Sequence, residues 1–296
     1  MLERAAENIA RCVGTPASGT VTLLQSPGRA VIGGAVAAAL NRRNIEVHTV
    51  LVANGDADVV KRTLERVEGT SGYVILLEHS FAPTVFDVLG RPDQGLKHDC
   101  RHLFCDWFLS PAGLLRTYAV DWDEQERFRA RLLNALAGAQ KIRVTTAAGT
   151  DITLSPRHWN SAWGEVWTAP VEFVSNGTIV VDGSVYFALT KQPFTLEIRD
   201  GRVANLHELD QSDPQQQMLW NDLTCDGQAA VLAELGIGVN LGADPRSDLM
   251  EAEQARGTCH FGFGNNVPYG GRNVSRFHGD IGVLAPTIEV DGRVIC

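Results

Sequence analysis

The sequence predicts a three-layer α/β domain with a parallel sheet over residues 1–140, followed by an antiparallel, β-rich domain that carries the metal site over residues 141–296. In the first part, short β-branched runs alternate with helical segments of ten or more residues, which is typical of βαβ units. In the second part, Asp-Gly pairs recur between β-branched runs, a strong signal of β-hairpins. The length of 296 residues also fits two domains.

The elements of the first part follow from these patterns in chain order. Strands are predicted over residues 20–24, 46–52 and 73–77, and helices over residues 30–43, 56–67 and 123–139. The last helix is acidic at its start, and Gly138 lies where such a helix would end. Right-handed crossovers between the strands would place helices on both faces of the sheet.

The second part reads as a series of hairpins with one interruption. Hairpins are predicted over residues 142–154, 177–187, 195–203 and 288–295. The stretch 227–235 reads as a helix that ends at a glycine turn, and Glu234 is its only charged residue. A carboxylate among apolar residues is costly unless it is paired or binds a metal. The alternative for Glu234 is a solvent-exposed position on the helix.

Composition excludes several classes of protein. The formal net charge is −9 with a pI near 5.4, and no run of Lys or Arg occurs, so we expect no nucleic-acid partner. The longest apolar run, residues 30–40, is too short to span a membrane. The six cysteines form no CxxC pair, and the acidic N-terminus does not read as a signal peptide. We therefore expect a cytoplasmic protein.

The most informative segments are residues 257–266 and 275–280. His278 and Asp280 are two residues apart, so in a strand both side chains project from one face and can meet a divalent metal ion. His260 lies in a strand-like run in which Gly262 and Gly264 would leave the same face open. The alternative is that both histidines lie in solvated loops.

Six segments in the same order resemble the aminopeptidase T-type metallo-aminopeptidases, over roughly residues 140–290. They are residues 144–151, 164–170, 176–183, 233–240, 257–260 and 275–280. The resemblance implies a hydrolase that cleaves an amide or peptide bond with a metal-activated water, and it implies a homodimer. It also implies metal ligation, with Zn, Co or Mn as the ion, by Glu165, Glu234, His260, His278 and Asp280.

Three carboxylates and two imidazoles can hold two divalent ions, with one carboxylate bridging them. Alternatively, Glu165 or Glu234 can act as a general base beside a single ion. The family carries a tyrosine soon after its first histidine, but Val267 occupies that position here and the nearest tyrosine is Tyr269. Together with a short loop, this departure suggests a specialised small-molecule substrate. Trp163 and Tyr269 are the expected substrate-binding residues.

The same scaffold is shared by ring-opening 2,5-dihydroxypyridine dioxygenases. His260, His278 and Asp280 alone would form a 2-His-1-carboxylate set, which is typical of non-haem Fe(II). Trp163, Trp167, Phe261 and Phe263 either wall an aromatic substrate pocket or belong to the core. Retention of Glu165 and Glu234 favours the hydrolase, so the dioxygenase stands as the alternative. A weaker metal candidate, residues 98–105 with two His and two Cys, more plainly reads as a polar segment between domains.

Overall fold

The computed structural model describes residues 1–53, 56–67, 73–89, 101–105, 110–186, 188–247 and 249–295. The chain forms two compact units, Met1–Trp122 and Asp123–Cys296. The domain boundary near residue 140 stays a prediction. Among the described residues, none of the helices combines the length and apolar character that crossing a membrane requires.

The first unit is an α/β structure with a parallel sheet, as predicted. Its elements are α1 (Leu2–Val13), β1 (Thr20–Gln25), α2 (Ala30–Asn41), β2 (Glu46–Leu51), α3 (Ala57–Val67), β3 (Tyr73–Leu76), α4 (Ala82–Leu89), β4 (Arg101–Phe104) and α5 (Pro111–Tyr118). The strand order is β2-β1-β3-β4, and every pairing is parallel. Leu24 packs with Val60 of α3 and Val85 of α4. Its neighbour Leu23 faces Gly33 of α2, so helices cover both faces.

The second unit is antiparallel and β-rich, also as predicted. Its elements are α6 (Trp122–Leu136), β5 (Ile142–Thr145), β6 (Asp151–Leu154), β7 (Pro156–Ser161), β8 (Glu165–Pro170), β9 (Asn176–Val181), β10 (Ser184–Val185), β11 (Ala188–Leu189), β12 (Phe194–Arg199), β13 (Arg202–Val203), α7 (Pro214–Leu223), β14 (Leu232–Gly238), α8 (Leu249–Gln254), β15 (Thr258–Gly264), β16 (His278–Leu284), β17 (Thr287–Val290) and β18 (Arg293–Val294). They include two seven-stranded sheets.

The first of these, sheet 1, has the order β11-β10-β16-β15-β14-β8-β7, and sheet 2 has the order β13-β12-β9-β6-β5-β17-β18. Leu235, Phe261 and Ile281 of sheet 1 form one buried cluster with Ile179 and Ile288 of sheet 2. The core of this unit therefore includes one face of each sheet. Because side chains alternate along a strand, the neighbours of these core residues in sheet 1 project from its opposite face.

Three of the four predicted hairpins are confirmed, namely β5–β6, β12–β13 and β17–β18. The hairpin expected at Asp182-Gly183 is wrong, because β9 pairs with β6 and β12 whereas β10 pairs with β11 and β16. Contacts with β16 redirect the chain at this point. The backbone N–H of Leu284 donates to Asp182 Oδ1 at 2.9 Å, and the N–H of Gly183 donates to the carbonyl of Gly282 at 3.0 Å.

The helix predicted over residues 227–235 is also wrong, because residues 232–238 form strand β14, which is buried along its whole length. It pairs with β8 on one side and β15 on the other. Leu235 and Ile237 point to the core, while Glu234 and Gly236 fall on the other face. Pairing on both sides and burial of alternate side chains outweigh the helical propensity of the Ala-Val-Leu-Ala-Glu-Leu run.

Candidate metal centre

Strand pairing in sheet 1 brings together the five residues that the sequence analysis singled out. They lie on four neighbouring strands, as Glu165 on β8, Glu234 on β14, His260 on β15, and His278 and Asp280 on β16. Core residues alternate with them along these strands, among them Val166, Leu235, Phe261 and Ile281. The five side chains therefore share the face of sheet 1 that is turned away from the core.

The ligand-type atoms of this cluster lie close together. His260 Nε2 is 3.5 Å from Glu165 Oε2 and 3.7 Å from Glu234 Oε1. His278 Nε2 is 3.2 Å from Glu234 Oε2 and 3.4 Å from Asp280 Oδ1. Two atoms bonded to one ion at about 2.0–2.2 Å are at most about 4.4 Å apart. All four pairs satisfy this limit, and ligand atoms of Glu234, His260 and Asp280 lie within 4.8 Å of one another.

Two glycines give the cluster its space. A Cβ atom on Gly262 would lie 2.7 Å from Asp280 Oδ1 and 2.8 Å from the Cβ of Glu234. A Cβ atom on Gly236 would lie 2.0 Å from Nε2 of His260. In the strand pairing, Gly262 stands between Glu234 and Asp280, and Gly236 stands next to His260. The imidazoles and carboxylates thus fill positions that any larger residue at either glycine would occupy.

Several polar atoms of the cluster are buried without a hydrogen-bond partner among the described residues, including His278 Nε2 and Asp280 Oδ1. Buried polar groups are normally paired, so these two atoms suit an additional positive centre between them. His278 Nδ1 lies 2.7 Å from the carbonyl oxygen of Asn265. Because a carbonyl oxygen can only accept, this hydrogen bond places a proton on Nδ1, and Nε2 is the nitrogen that faces the carboxylates of Glu234 and Asp280. The residues present therefore fit a bound divalent metal ion.

The charges of the cluster change its protonation equilibria. Burial lowers the pKa of His260 and of His278, but the surrounding carboxylates outweigh burial and raise both pKa values well above the usual one. Burial raises the pKa of Glu165 to about 7, with Glu234 and Asp280 adding to the rise and His260 opposing it. Burial would also raise the pKa of Asp280, but contact with His278 leaves it below the ordinary value. Such an acid-rich, buried cluster favours a cation.

Sequence reasoning missed one further acidic residue at this site, Glu253 on α8. Its exposed fraction is 9%, and burial raises the pKa of its carboxyl group well above the usual value. Glu165, Asp280 and Glu234 add to that rise, and His260 opposes it, so Glu253 is electrostatically coupled to the cluster. In the sequence, Glu251-Ala252-Glu253 belongs to none of the segments that indicated metal ligands. Only the packing of α8 against β14 and β15 brings it to the site.

The aromatic residues that we expected to bind substrate lie in different surroundings. The ring of Tyr269 lies beside His278, with ring centroids 4.9 Å apart and planes inclined by 55°. Trp163 is half-buried, two residues before Glu165, and its carbonyl oxygen accepts a hydrogen bond from Gln125 Nε2 at 2.8 Å.

Trp167 is paired with Gly236, which places it on the face of His260, and its buried Nε1 has no hydrogen-bond partner among the described residues. Phe261 and Phe263 belong to the core rather than to a pocket wall. The possible metal-binding segment 98–105 stays a prediction, because residues 98–100 and the side chain of His102 lie outside the described residues.

Two solved structures share this fold over nearly its whole length. A 2,5-dihydroxypyridine dioxygenase from Pseudomonas putida KT2440 superposes with a TM-score of 0.70 at 18% identity, covering 99% of this chain and 94% of that chain. Wild-type AmpT from Thermus thermophilus superposes with a TM-score of 0.63 at 14% identity, covering 98% and 94%. No curated protein matches the sequence. The predicted likeness to the scaffold shared by aminopeptidase T and the dioxygenases is thus confirmed.

The family is more specific than the fold. Residues 96–296 match the sequence profile of the NicX family, 2,5-dihydroxypyridine 5,6-dioxygenase, and the chain belongs to this family. The match covers all five residues of the cluster. It favours the dioxygenase alternative of the sequence analysis over the aminopeptidase-like hydrolase that we expected.

Proposed function

We propose that this protein is a non-haem Fe(II) dioxygenase that opens the ring of a dihydroxypyridine, with His260, His278 and Asp280 as the iron ligands. Membership of the dioxygenase family is the observation that carries the proposal. Two imidazoles and one carboxylate are the set that non-haem Fe(II) oxygenases use. His278 Nε2 and Asp280 Oδ1 lie 3.4 Å apart, and neither has a hydrogen-bond partner among the described residues. A ligand-type atom of His260 lies within 4.8 Å of one of Asp280.

Iron bound there would supply the reactivity with O₂ that amino-acid side chains lack. The protein would supply orientation and proton transfer. Glu234 lies between the two imidazoles, with Oε1 3.7 Å from His260 Nε2 and Oε2 3.2 Å from His278 Nε2, so its carboxylate faces the same space as these two nitrogens. Glu165 lies 3.5 Å from His260 Nε2 and keeps 25% of its side chain exposed. A carboxylate that is beside the metal ligands and still reachable from solvent can transfer a substrate hydroxyl proton.

A metallohydrolase of the aminopeptidase type remains the second candidate, because the cluster is richer in carboxylates than a facial triad requires. His260 Nε2 lies within 3.7 Å of two glutamates, and Glu253 adds another acidic group. Such a set can hold two divalent ions, which together activate a water and polarise a carbonyl. In this reading, Zn, Co or Mn takes the place of Fe(II).

One pair of assays separates the two functions. The protein is loaded with Fe(II) and given 2,5-dihydroxypyridine in an oxygen electrode, and it is separately loaded with Zn, Co or Mn and given aminoacyl arylamides under argon. We expect oxygen uptake in proportion to ring loss, without amide cleavage. Asp280→Asn should abolish the uptake, whereas Asp58→Asn, at an exposed position on α3, should leave it unchanged. Amide cleavage under argon without oxygen uptake would reverse the choice.

A further inference from the structure

The loop between the two predicted metal-binding strands contacts His278 at two points. This loop, residues 265–277, is called the clamp loop here. The carbonyl oxygen of Asn265 accepts the hydrogen bond from His278 Nδ1 at 2.7 Å, and the ring of Tyr269 lies beside the imidazole ring with centroids 4.9 Å apart. The orientation of His278 therefore depends on a backbone carbonyl, whose position is set by the conformation of the clamp loop.

Asn266, which is fully buried, holds the interior of the clamp loop. Its Oδ1 accepts a hydrogen bond from the backbone N–H of Asn273 at 2.8 Å, and its Nδ2 donates to Glu172 Oε1 at 2.9 Å. Asn273 Nδ2 in turn donates to the carbonyl of Gly264 at 2.6 Å. A Cβ atom on Gly271 would lie 2.1 Å from the side chain of Asn266, so the loop leaves space for this one amide.

Glu172, which follows β8, joins the clamp loop to sheet 1. Its side chain is 8% exposed, and Oε2 pairs with Arg157 Nη2 at 2.5 Å. Its Oε1 accepts from the backbone N–H of Arg272 at 2.7 Å as well as from Asn266. Burial raises the pKa of Glu172, but these hydrogen bonds outweigh burial and lower the pKa to about 2. The carboxylate is thus charged, and both of its oxygens are engaged.

We propose that Glu172 and Asn266 are positioning residues that hold the clamp loop so that Asn265 keeps Nε2 of His278 directed at the metal. The proposal rests on the metal centre described above. A metal-bound histidine generally donates its other N–H to a carbonyl or carboxylate, and loss of that support weakens metal binding. Here the support is a main-chain carbonyl, so the side chains that fix the loop take over the role that a direct carboxylate partner has elsewhere.

The test uses Glu172→Gln and Asn266→Asp, which keep the shapes of the side chains. Each substitution replaces one hydrogen-bonding atom and so loses one hydrogen bond of the contacts described above. The matched control is Glu197→Gln, which breaks an exposed Glu–Arg pair on β12, where Glu197 Oε2 lies 2.6 Å from Arg199 Nη2. Fe(II) affinity is measured anaerobically by chelator competition. We expect both loop variants to bind Fe(II) about 10- to 100-fold more weakly, and the control to bind it as the wild type does.

A second readout does not need a metal. In ¹H–¹⁵N spectra of histidine-labelled protein, the His278 Nδ1 proton, identified by its loss in His278→Gln, should be protected from exchange in the wild type and the control. It should exchange rapidly in the two loop variants, even where circular dichroism shows an intact fold. Unchanged Fe(II) affinity together with a protected proton in either folded variant would overturn the proposal. A wild type that retains the protected proton but binds no metal would overturn the metal centre instead.

Discussion

Gly262→Ala places a methyl group in the middle of the candidate metal centre, and its effect follows from the local distances. The new Cβ would lie 2.7 Å from Asp280 Oδ1, 2.8 Å from Glu234 Cβ and 3.0 Å from His278 Cε1. Ordinary contacts begin at 3.4 Å, so these three groups must withdraw by up to 0.7 Å. Metal–ligand distances tolerate only about 0.2 Å. The variant should therefore lose metal affinity.

The magnitude can be bounded from packing. Insertion of an extra carbon into a filled space typically costs about 1–3 kcal/mol. If that cost falls on the metal-bound state, Fe(II) affinity drops by about 5- to 150-fold, since each 1.4 kcal/mol is about tenfold.

Anaerobic Fe(II) titration measures the change, and Gly227→Ala is the matched control, because a Cβ there meets nothing within 4 Å. Wild-type affinity in a folded Gly262→Ala variant would show that the ion does not bind on this face of β15.

Two further predictions concern the same cluster. His278→Ala should abolish turnover and metal binding while the circular dichroism spectrum stays that of the wild type. The control is His207→Ala, which should change neither turnover nor metal binding, because the His207 side chain is 79% exposed. Turnover retained by the His278→Ala variant would exclude His278 as a ligand. In the metal-free protein, burial raises the folded-state pKa of Glu165 from 4.5 to about 7 and so favours its protonated form. The protonated carboxyl group therefore contributes to the free energy of unfolding, and this contribution is lost as pH rises from about 4.5 towards about 7. Denaturant unfolding across this range should show a smaller fall with pH for Glu165→Gln, and parallel curves for variant and wild type would contradict the assignment.

Local sequence signals predicted much of the fold. Asp-Gly turns and alternation are properties of a few neighbouring residues, so the hairpins β5–β6, β12–β13 and β17–β18 could be predicted. The same local signals wrongly predicted a hairpin at Asp182-Gly183 and a helix at residues 227–235. In both cases the deciding contacts come from residues far along the chain, and burial between two partners can outweigh any local preference.

The same division applies to the candidate site. By itself, the sequence determined that His278 and Asp280 share a face, since this follows from the two-residue repeat of a strand, and that glycines keep the face beside His260 open. Only the tertiary structure decided that Glu234 lies between the two imidazoles and that α8 carries Glu253 to the cluster. Likewise, the support of His278 through Asn265, Asn266 and Glu172 depends on a loop that side-chain hydrogen bonds close around a backbone carbonyl. A strand repeat is a short-range geometric property of the backbone, whereas strand register, helix packing and loop closure are set by contacts between residues distant in the sequence.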